Sequence, residues 1–554
     1  MLTLALRYFN TIRYLKLVQL KSLILKRLRF KRLRSLRGEL KYRYPRYPIK
    51  DFIKKPQSIF PDFEFSFFGS SSFLHQVSWA GSQKSDLWRY NQHYFDDLCS
   101  DVTGQRRKLQ LDTINLWISQ NIPGSKPGWD AYPTSLRIVN WIKYDLSYQS
   151  LNASHIKSIY NQSLCLEDNI EWHLLGNHLF ANAKALIFSG LYFQGDTPKN
   201  WLTKGANILK VQIQEQILED GGHFELSPMY HAIILEDLLD LINIFEAFEV
   251  KQNHELKHLH MQIRKAALKM LHWSSVMLHP DGRLPFFNDT AINISAPFGA
   301  LFDYAKSLDL GLLKISEYEE VKLENSGFYI WKNGSSKLFF DVGEIGASYL
   351  PGHAHADTLS IECSINGKNL IVNSGTSDYA VSELRAYQRS TAAHSTVEIN
   401  GENSSETWSS FRVARRAKIV DRSSFKSNQS VFFSASHDGY YRFPGKYIHT
   451  RRIKCNSKLI EILDKVTGMS YGNLKINFFL APEIKSEKLG SRLYKLSNIT
   501  GEIDATIEFS DGEVELKDTF WYPRFGEQKK NTKLQVKFSG DMPKQIITKL
   551  IWIS

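Results

Sequence analysis

Cysteine is scarce. The 554-residue chain has four, Cys99, Cys165, Cys363 and Cys455, none in CxxC spacing. That excludes a disulfide framework and a thiolate zinc cluster, and it fits a reducing compartment. No apolar run reaches the ~18–20 residues that a membrane-spanning helix needs. The apolar start is broken by Arg7, Arg13 and Lys16, and no clean small-residue cleavage site follows, which argues against a secretory signal. Acid is nearly missing from residues 1–50, where Glu39 alone stands against 15 Lys and Arg. The rest of the chain sums to −1, so the formal charge of +13 belongs to a basic arm on a nearly neutral body.

What is present is globular: 43% hydrophobic, 23% charged and 13% aromatic. Aromatics at that level fill cores or stack on sugars. The length calls for two or three domains. In the arm, Leu, Ile, Phe and Tyr interleave with Lys and Arg at roughly helical spacing. A basic amphipathic helix on an anionic membrane surface fits that pattern, as does a helix packed on the body with a solvated basic face. The leucines argue against a nucleic-acid arm.

From about residue 90 to 315 the apolar spacing is three-and-four, as in "TSLRIVNWIKYDLS" and "HAIILEDLLDLINIFEAFEV". Short breakers such as "PGSKPG" and "EDGGHFELSP" separate these runs. An array of helical hairpins follows, a toroid or solenoid, although no strict repeat is visible. From about residue 320 the period becomes two, with Asn-Gly turns in "GFYIWKNGSSKLFFDVG" and "TLSIECSINGKNLIVNSG". The expected architecture is a multidomain α-then-β chain: arm 1–50, helical domain 51–318, antiparallel β-sandwich domain 319–554.

Three clusters can carry chemistry. Asn177 and His178 are adjacent polar residues in the apolar helix "LLGNHLFANAKAL". In "EDGGHFELSPMYH", Pro228 suits a first helical turn, which puts Tyr230 and His231 at a helix start near Glu225. In "PGHAHADTLSIE", read as leading into a strand, His353 and His355 would share one face. His394 in "RSTAAHSTVEI" precedes another strand. Histidines on neighbouring strands can bind zinc, but H-x-H alone is a weak signal.

Together with "LWRYNQHYFDDL" and "LIVNSGTSDY", these stretches occur in the order found in the heparinase II/III-like polysaccharide lyases. From about residue 85 onward the chain resembles that family, and within it the branch associated with bacterial surface-polysaccharide gene clusters. The resemblance implies an incomplete (α/α) toroid followed by an antiparallel β-sheet domain. It also implies β-elimination on a uronic-acid glycan, with an acidic polysaccharide as the partner. Asn177 and His178 would meet the uronate carboxylate, Tyr230 would be the base, the acid or both, and His353 its partner acid or base. Arg385 and Arg389 are candidates for lowering the tyrosine pKa or for holding substrate, and His231 and Glu225 for lining the substrate cleft. One structural zinc ion is implied on His355, His394 and an aspartate. This chain has Asn373 at that last position, a poorer ligand, so zinc is either absent or completed by a replacement such as Asp357. The expected location is cytoplasmic or peripheral to the inner membrane, with the periplasm left open.

Two other classes compete. One is a non-catalytic glycan-binding scaffold on the same fold. The other is a hydrolase, which needs paired carboxylates; Glu225, Asp220 and Asp289 are available, but no spacing pairs them.

Overall fold

The computed structural model describes residues 2–28, 39–81, 83–101, 103–250, 253–311 and 318–553. The basic run 29–38 and residues 312–317, which include the start of the expected join, lie outside the described residues.

Helices dominate the first part in two layers. The inner layer is Ala131–Tyr148, Gly176–Tyr192 and Pro228–Ala247, buried along nearly their whole lengths. Such helices are apolar on most faces, as burial on all sides demands. The outer layer is Ala153–Asp168, Asp196–Gln216 and His254–Met277, each with one buried stripe. Consecutive inner and outer helices pack as hairpins around one core. Gly190 and Gly205 let one hairpin close tightly, since a Cβ on Gly205 would lie 2.8 Å from the Ala183 carbonyl. Inside the inner layer, Lys143 and Lys184 pair with Asp237 and Asp240, so the polar groups there are paired charges. This is the toroid that the resemblance implies, one of the two hairpin arrays that the helical periodicity allowed.

A small three-stranded sheet, Ile59–Phe60, Glu64–Phe67 and Ser70–Phe73, precedes these helices and was not anticipated. Its Phe68 packs on Phe525 of the β domain.

The second part is two stacked antiparallel sheets sharing one core. The first begins at Glu320–Leu323 and runs through the two predicted hairpins, Phe328–Asn333 with Ser336–Asp341 and Ile361–Ile365 with Lys368–Val372. It continues into Gly472–Leu480, Lys529–Gly540 and Glu513–Trp521. The second runs from Ile419–Ser427 to Ile484–Lys488. Its long central hairpin, Ile448–Asn456 with Leu459–Thr467, alternates buried and partly exposed residues, the mark of one face on the core and one in water.

The residues from Pro351 to Ser360 are an irregular loop before the strand Ile361–Ile365. The strand reading of H-x-H is therefore corrected. The two histidines converge for a different reason, given next.

Candidate active site

The site is assembled by the loop "PFFNDT", residues 285–290. Asn288 adopts a left-handed backbone conformation, φ 54°. Its side chain donates to the Leu226 carbonyl at 3.0 Å and accepts from the His355 N–H at 2.9 Å. The next residue, Asp289, donates its N–H to the His353 carbonyl at 2.9 Å, and its carbonyl accepts from Ser227 Oγ at 2.6 Å. Ser227 also caps the following helix by accepting from the Tyr230 N–H. One short loop thus ties the Ser-Pro turn of the toroid to the H-x-H loop of the β domain.

Asp289 is the hub. Its Oδ2 accepts from His353 Nδ1 at 2.9 Å, and its Oδ1 accepts from His355 Nε2 at 2.8 Å. Arg385 clamps both oxygens, with Nη2 2.7 Å from Oδ2. Burial opposes ionisation of Asp289, but Arg385 and the two histidines outweigh it and hold the carboxyl well below its usual range. It is a buried carboxylate. The His353 Nδ1–H is therefore committed to it, and the Nε2 lone pair points elsewhere.

Around His353 stand four further groups. The Tyr230 ring stacks on it, centroids 3.9 Å apart. The Tyr230 hydroxyl is 3.2 Å from that of Tyr379. Phe411 meets the His353 ring edge-on. Glu225 Oε2 lies 3.7 Å from His353 Nε2. Glu225 is 2% exposed, and neither of its oxygens makes a well-formed hydrogen bond. Burial first, then the Asp289 charge, push this carboxyl up to about 8.

Glu225 rests against the start of helix Gly176–Tyr192, facing the Asn177 backbone N–H. Gly176, φ 55°, is needed there because Leu350 occupies the space of any Cβ. Asn177 and His178 sit on this first turn rather than within the helix. His178 is partly exposed, meets the Tyr132 ring at a 39° tilt with centroids 4.4 Å apart, and places Nδ1 3.3 Å from Glu171. Leu175 and Leu226, on either side of the pocket, both have positive φ. Such strain in Leu costs ~1–3 kcal/mol each and clusters at functional sites.

Tyr230 and Glu225 of the toroid, beside the helix start that carries Asn177 and His178, therefore meet His353 of the β domain at one junction. Other candidates are placed differently. Arg385 and Arg389 are fully buried and bound to protein acceptors. Arg385 holds Asp289 and the Ser410 carbonyl, and Arg389 holds the Ala354 and Ser409 carbonyls. Both are structural clamps, and although the Arg385 charge acts on Tyr230 it does not bring the phenol below its usual range. Burial, then Tyr379, raise that phenol well above 10. His231 is a core histidine, stacked on Trp273 and bonded to Ser274 at 2.9 Å. Two of the carboxylates considered for hydrolysis are also committed: Asp289 to Arg385 and the two histidines, and Asp220 to Gly222 and Ser326.

The implied zinc can be tested against its donors. His394 Nδ1 bonds the Ser390 carbonyl, and His355 Nε2 bonds Asp289. The remaining nitrogens, His355 Nδ1 and His394 Nε2, face each other at 3.1 Å and would suit two corners of a metal. The others lack donors. The Asn373 amide oxygen is taken by the Ser395 N–H. Asp357 acts electrostatically on both rings but accepts from the Asn288 N–H. Among the described residues, no three His, Cys, Asp or Glu side chains form a metal-binding group. The donor set does not fit a tetrahedral zinc site.

The groups that sequence reasoning missed are Asp289 as a hub, Tyr379 and Tyr132. The adjacent Asn-Asp pair in "PFFNDT" was the available signal for the first.

Family models now bear on the chain. One described as Heparinase II/III N-terminus matches residues 145–303, and one described as Heparinase II/III-like, C-terminal, matches residues 317–549. A heparin-sulfate lyase of Bacteroides stercoris is 25% identical over 283 residues, which is 47% of this chain and 42% of that one. Another, of Pedobacter heparinus, is 26% identical over 342 residues, 58% and 49% of the two chains. The chain thus spans about half the length of these relatives. A heparinase III crystal structure superposes with a TM-score of 0.66 at 17% identity, covering 92% of this chain and 83% of that one. The heparan sulfate lyase HepC of Pedobacter heparinus gives 0.56 at 16% identity, covering 89% and 81%. With both halves matched, the chain belongs to the heparinase II/III-like family.

Proposed function

We propose that this chain is a polysaccharide lyase that cleaves a uronic-acid glycan by β-elimination, within a bacterial surface polysaccharide. The observation that carries the reading is the Tyr230–His353 stack, with His353 Nδ1 tied to Asp289.

The chemistry has three needs. The C5 proton of a uronate is weakly acidic, so its carboxylate must be met by donors that stabilise the developing enolate. Asn177 and His178, at the positive end of helix Gly176–Tyr192, suit that task. A base must take the proton. His353 offers Nε2, with its other nitrogen anchored on a carboxylate. An acid must protonate the departing glycosidic oxygen. Tyr230 holds its proton firmly in this buried setting. The C5–H bond breaks to His353, the C4–O bond breaks toward Tyr230, and a C4–C5 double bond forms. The raised Tyr230 phenol and the anchored His353 ring support this division of roles. The resemblance alone left the tyrosine as base, acid or both.

Mass analysis of digested polyuronates tests the reaction type. The reading expects one product end lacking a water relative to hydrolysis. Saturated ends on every fragment would replace it with a hydrolase.

A further inference from the structure

The arm holds two helices, α1 (Leu2–Ile12) and α2 (Leu17–Leu28). One side of the pair is committed to the body. Arg7 bonds Glu406 at 2.8 Å, and the Trp408 indole donates to Thr11 at 3.2 Å. Arg416 stacks on Tyr14, and Lys16 pairs with Glu215 and lies over the Tyr349 ring. These contacts span both domains: Glu406, Trp408 and Arg416 belong to the β domain, and Glu215 to the toroid. The segment they grip also supplies the Ser409 and Ser410 carbonyls that hold Arg389 and Arg385.

The other side is bare and apolar. Phe9 is 63% exposed, Leu17 84% and Ile24 61%, and Leu6, Ile12 and Leu23 are exposed beside them. Folding has already used the inner side, so these residues cannot turn inward without breaking the ion pairs. A patch of this kind on a soluble surface marks a docking face. Arg13 and Lys21 are exposed among them, while Lys26 reaches back to His173 at 3.0 Å, in an arm whose 50 residues carry 15 basic groups and one acid.

We propose that this face docks on an anionic phospholipid bilayer surface. Charge and apolarity together select the occupant. A second copy of the chain would bring the same positive charge against this one. A polyanionic glycan would satisfy the charge but leave the leucines in water. An anionic bilayer satisfies both, by apolar burial at the interface and ~1 kcal/mol per basic residue near it. No described helix is long and apolar enough to cross the membrane, so the contact is in the interfacial plane. The inference is independent of the reaction.

The test is sedimentation of the full chain with vesicles of phosphatidylcholine alone, or of phosphatidylcholine mixed with phosphatidylglycerol. The proposal expects binding to the mixed vesicles, weakened by added salt, and about tenfold or more weaker for Phe9→Asp/Ile24→Asp. Both positions face water, and a matching melting curve checks the fold. Leu17→Asp and Lys21→Glu read the same surface separately and should each weaken binding. Equal partition into both vesicle types would overturn the proposal. So would undiminished binding by all three variants, or a self-associated wild type that Phe9→Asp/Ile24→Asp turns into monomer.

Discussion

Asp289 joins His353 and His355 through opposite oxygens of a single carboxylate, at 2.9 and 2.8 Å, while Arg385 closes over both oxygens. One histidine is thereby presented to the pocket and the other is locked behind it. The H-x-H spacing acquires its meaning from this third residue, which lies 64 positions earlier than the first histidine.

Asp289→Asn should act on catalysis through His353. The amide matches the shape but cannot accept from His353, His355 and Arg385 together. Turnover should fall by about 10²–10⁴-fold with little change in KM. A matched rise in KM with unchanged kcat would show that the residue only shapes the pocket. Asp289→Ala also strands a buried guanidinium and should cost ~3–5 kcal/mol in denaturant unfolding.

Tyr230→Phe keeps the stack on His353 and removes only the hydroxyl. Glycan binding should persist while turnover drops by about 10²–10⁴-fold. Calorimetric titration with an oligouronate, alongside a product assay, separates the two. Full turnover by the variant would remove Tyr230 from the mechanism.

Glu225 titrates at about 8 in the folded protein, against about 4.5 when unfolded. Between these values the unfolded chain gives up its proton first. Folding stability from this group is therefore complete below about 4.5 and is lost as pH rises through about 8, by at most ~1.4 kcal/mol per unit. Glu225→Gln should flatten part of that decline in melting curves taken from pH 5 to 8. The remaining slope has a second source in Glu362, buried and also raised to about 8. An unchanged slope would mean that Glu225 is ionised in the folded state.

With two facing imidazoles and, among the described residues, no third metal-binding side chain grouped with them, metal should not matter to the fold. Treatment with a zinc chelator should leave the melting temperature unchanged, and elemental analysis should find far less than one zinc per chain. A chelator-induced drop would show that Asn373 or Asp357 ligates after all.

The sequence carried the period change from helix to strand, and with it the toroid and the first sheet. The central hairpin of the second sheet was not read, because "IHTRRIKCNSKLIEILDKVT" is charged on its wet face and broken by a polar turn. The pocket residues Asn177, His178, Tyr230 and His353 were legible as ordered motifs. The roles of Arg385, Arg389 and His231 were not. A basic side chain near a motif says nothing about which acceptor takes its donors, and here these are backbone carbonyls and a buried aspartate. Asp289 was visible as a residue, but its partners come from distant loops.

The most direct measurement is the ultraviolet absorbance of unsaturated uronate ends, followed over time on a panel of polyuronates that includes bacterial surface polymers. The account predicts rising absorbance on at least one polymer with the native chain, and none above background with Tyr230→Phe at equal concentration. A correctly folded native chain that binds such a glycan yet produces no absorbance on any of them would contradict it.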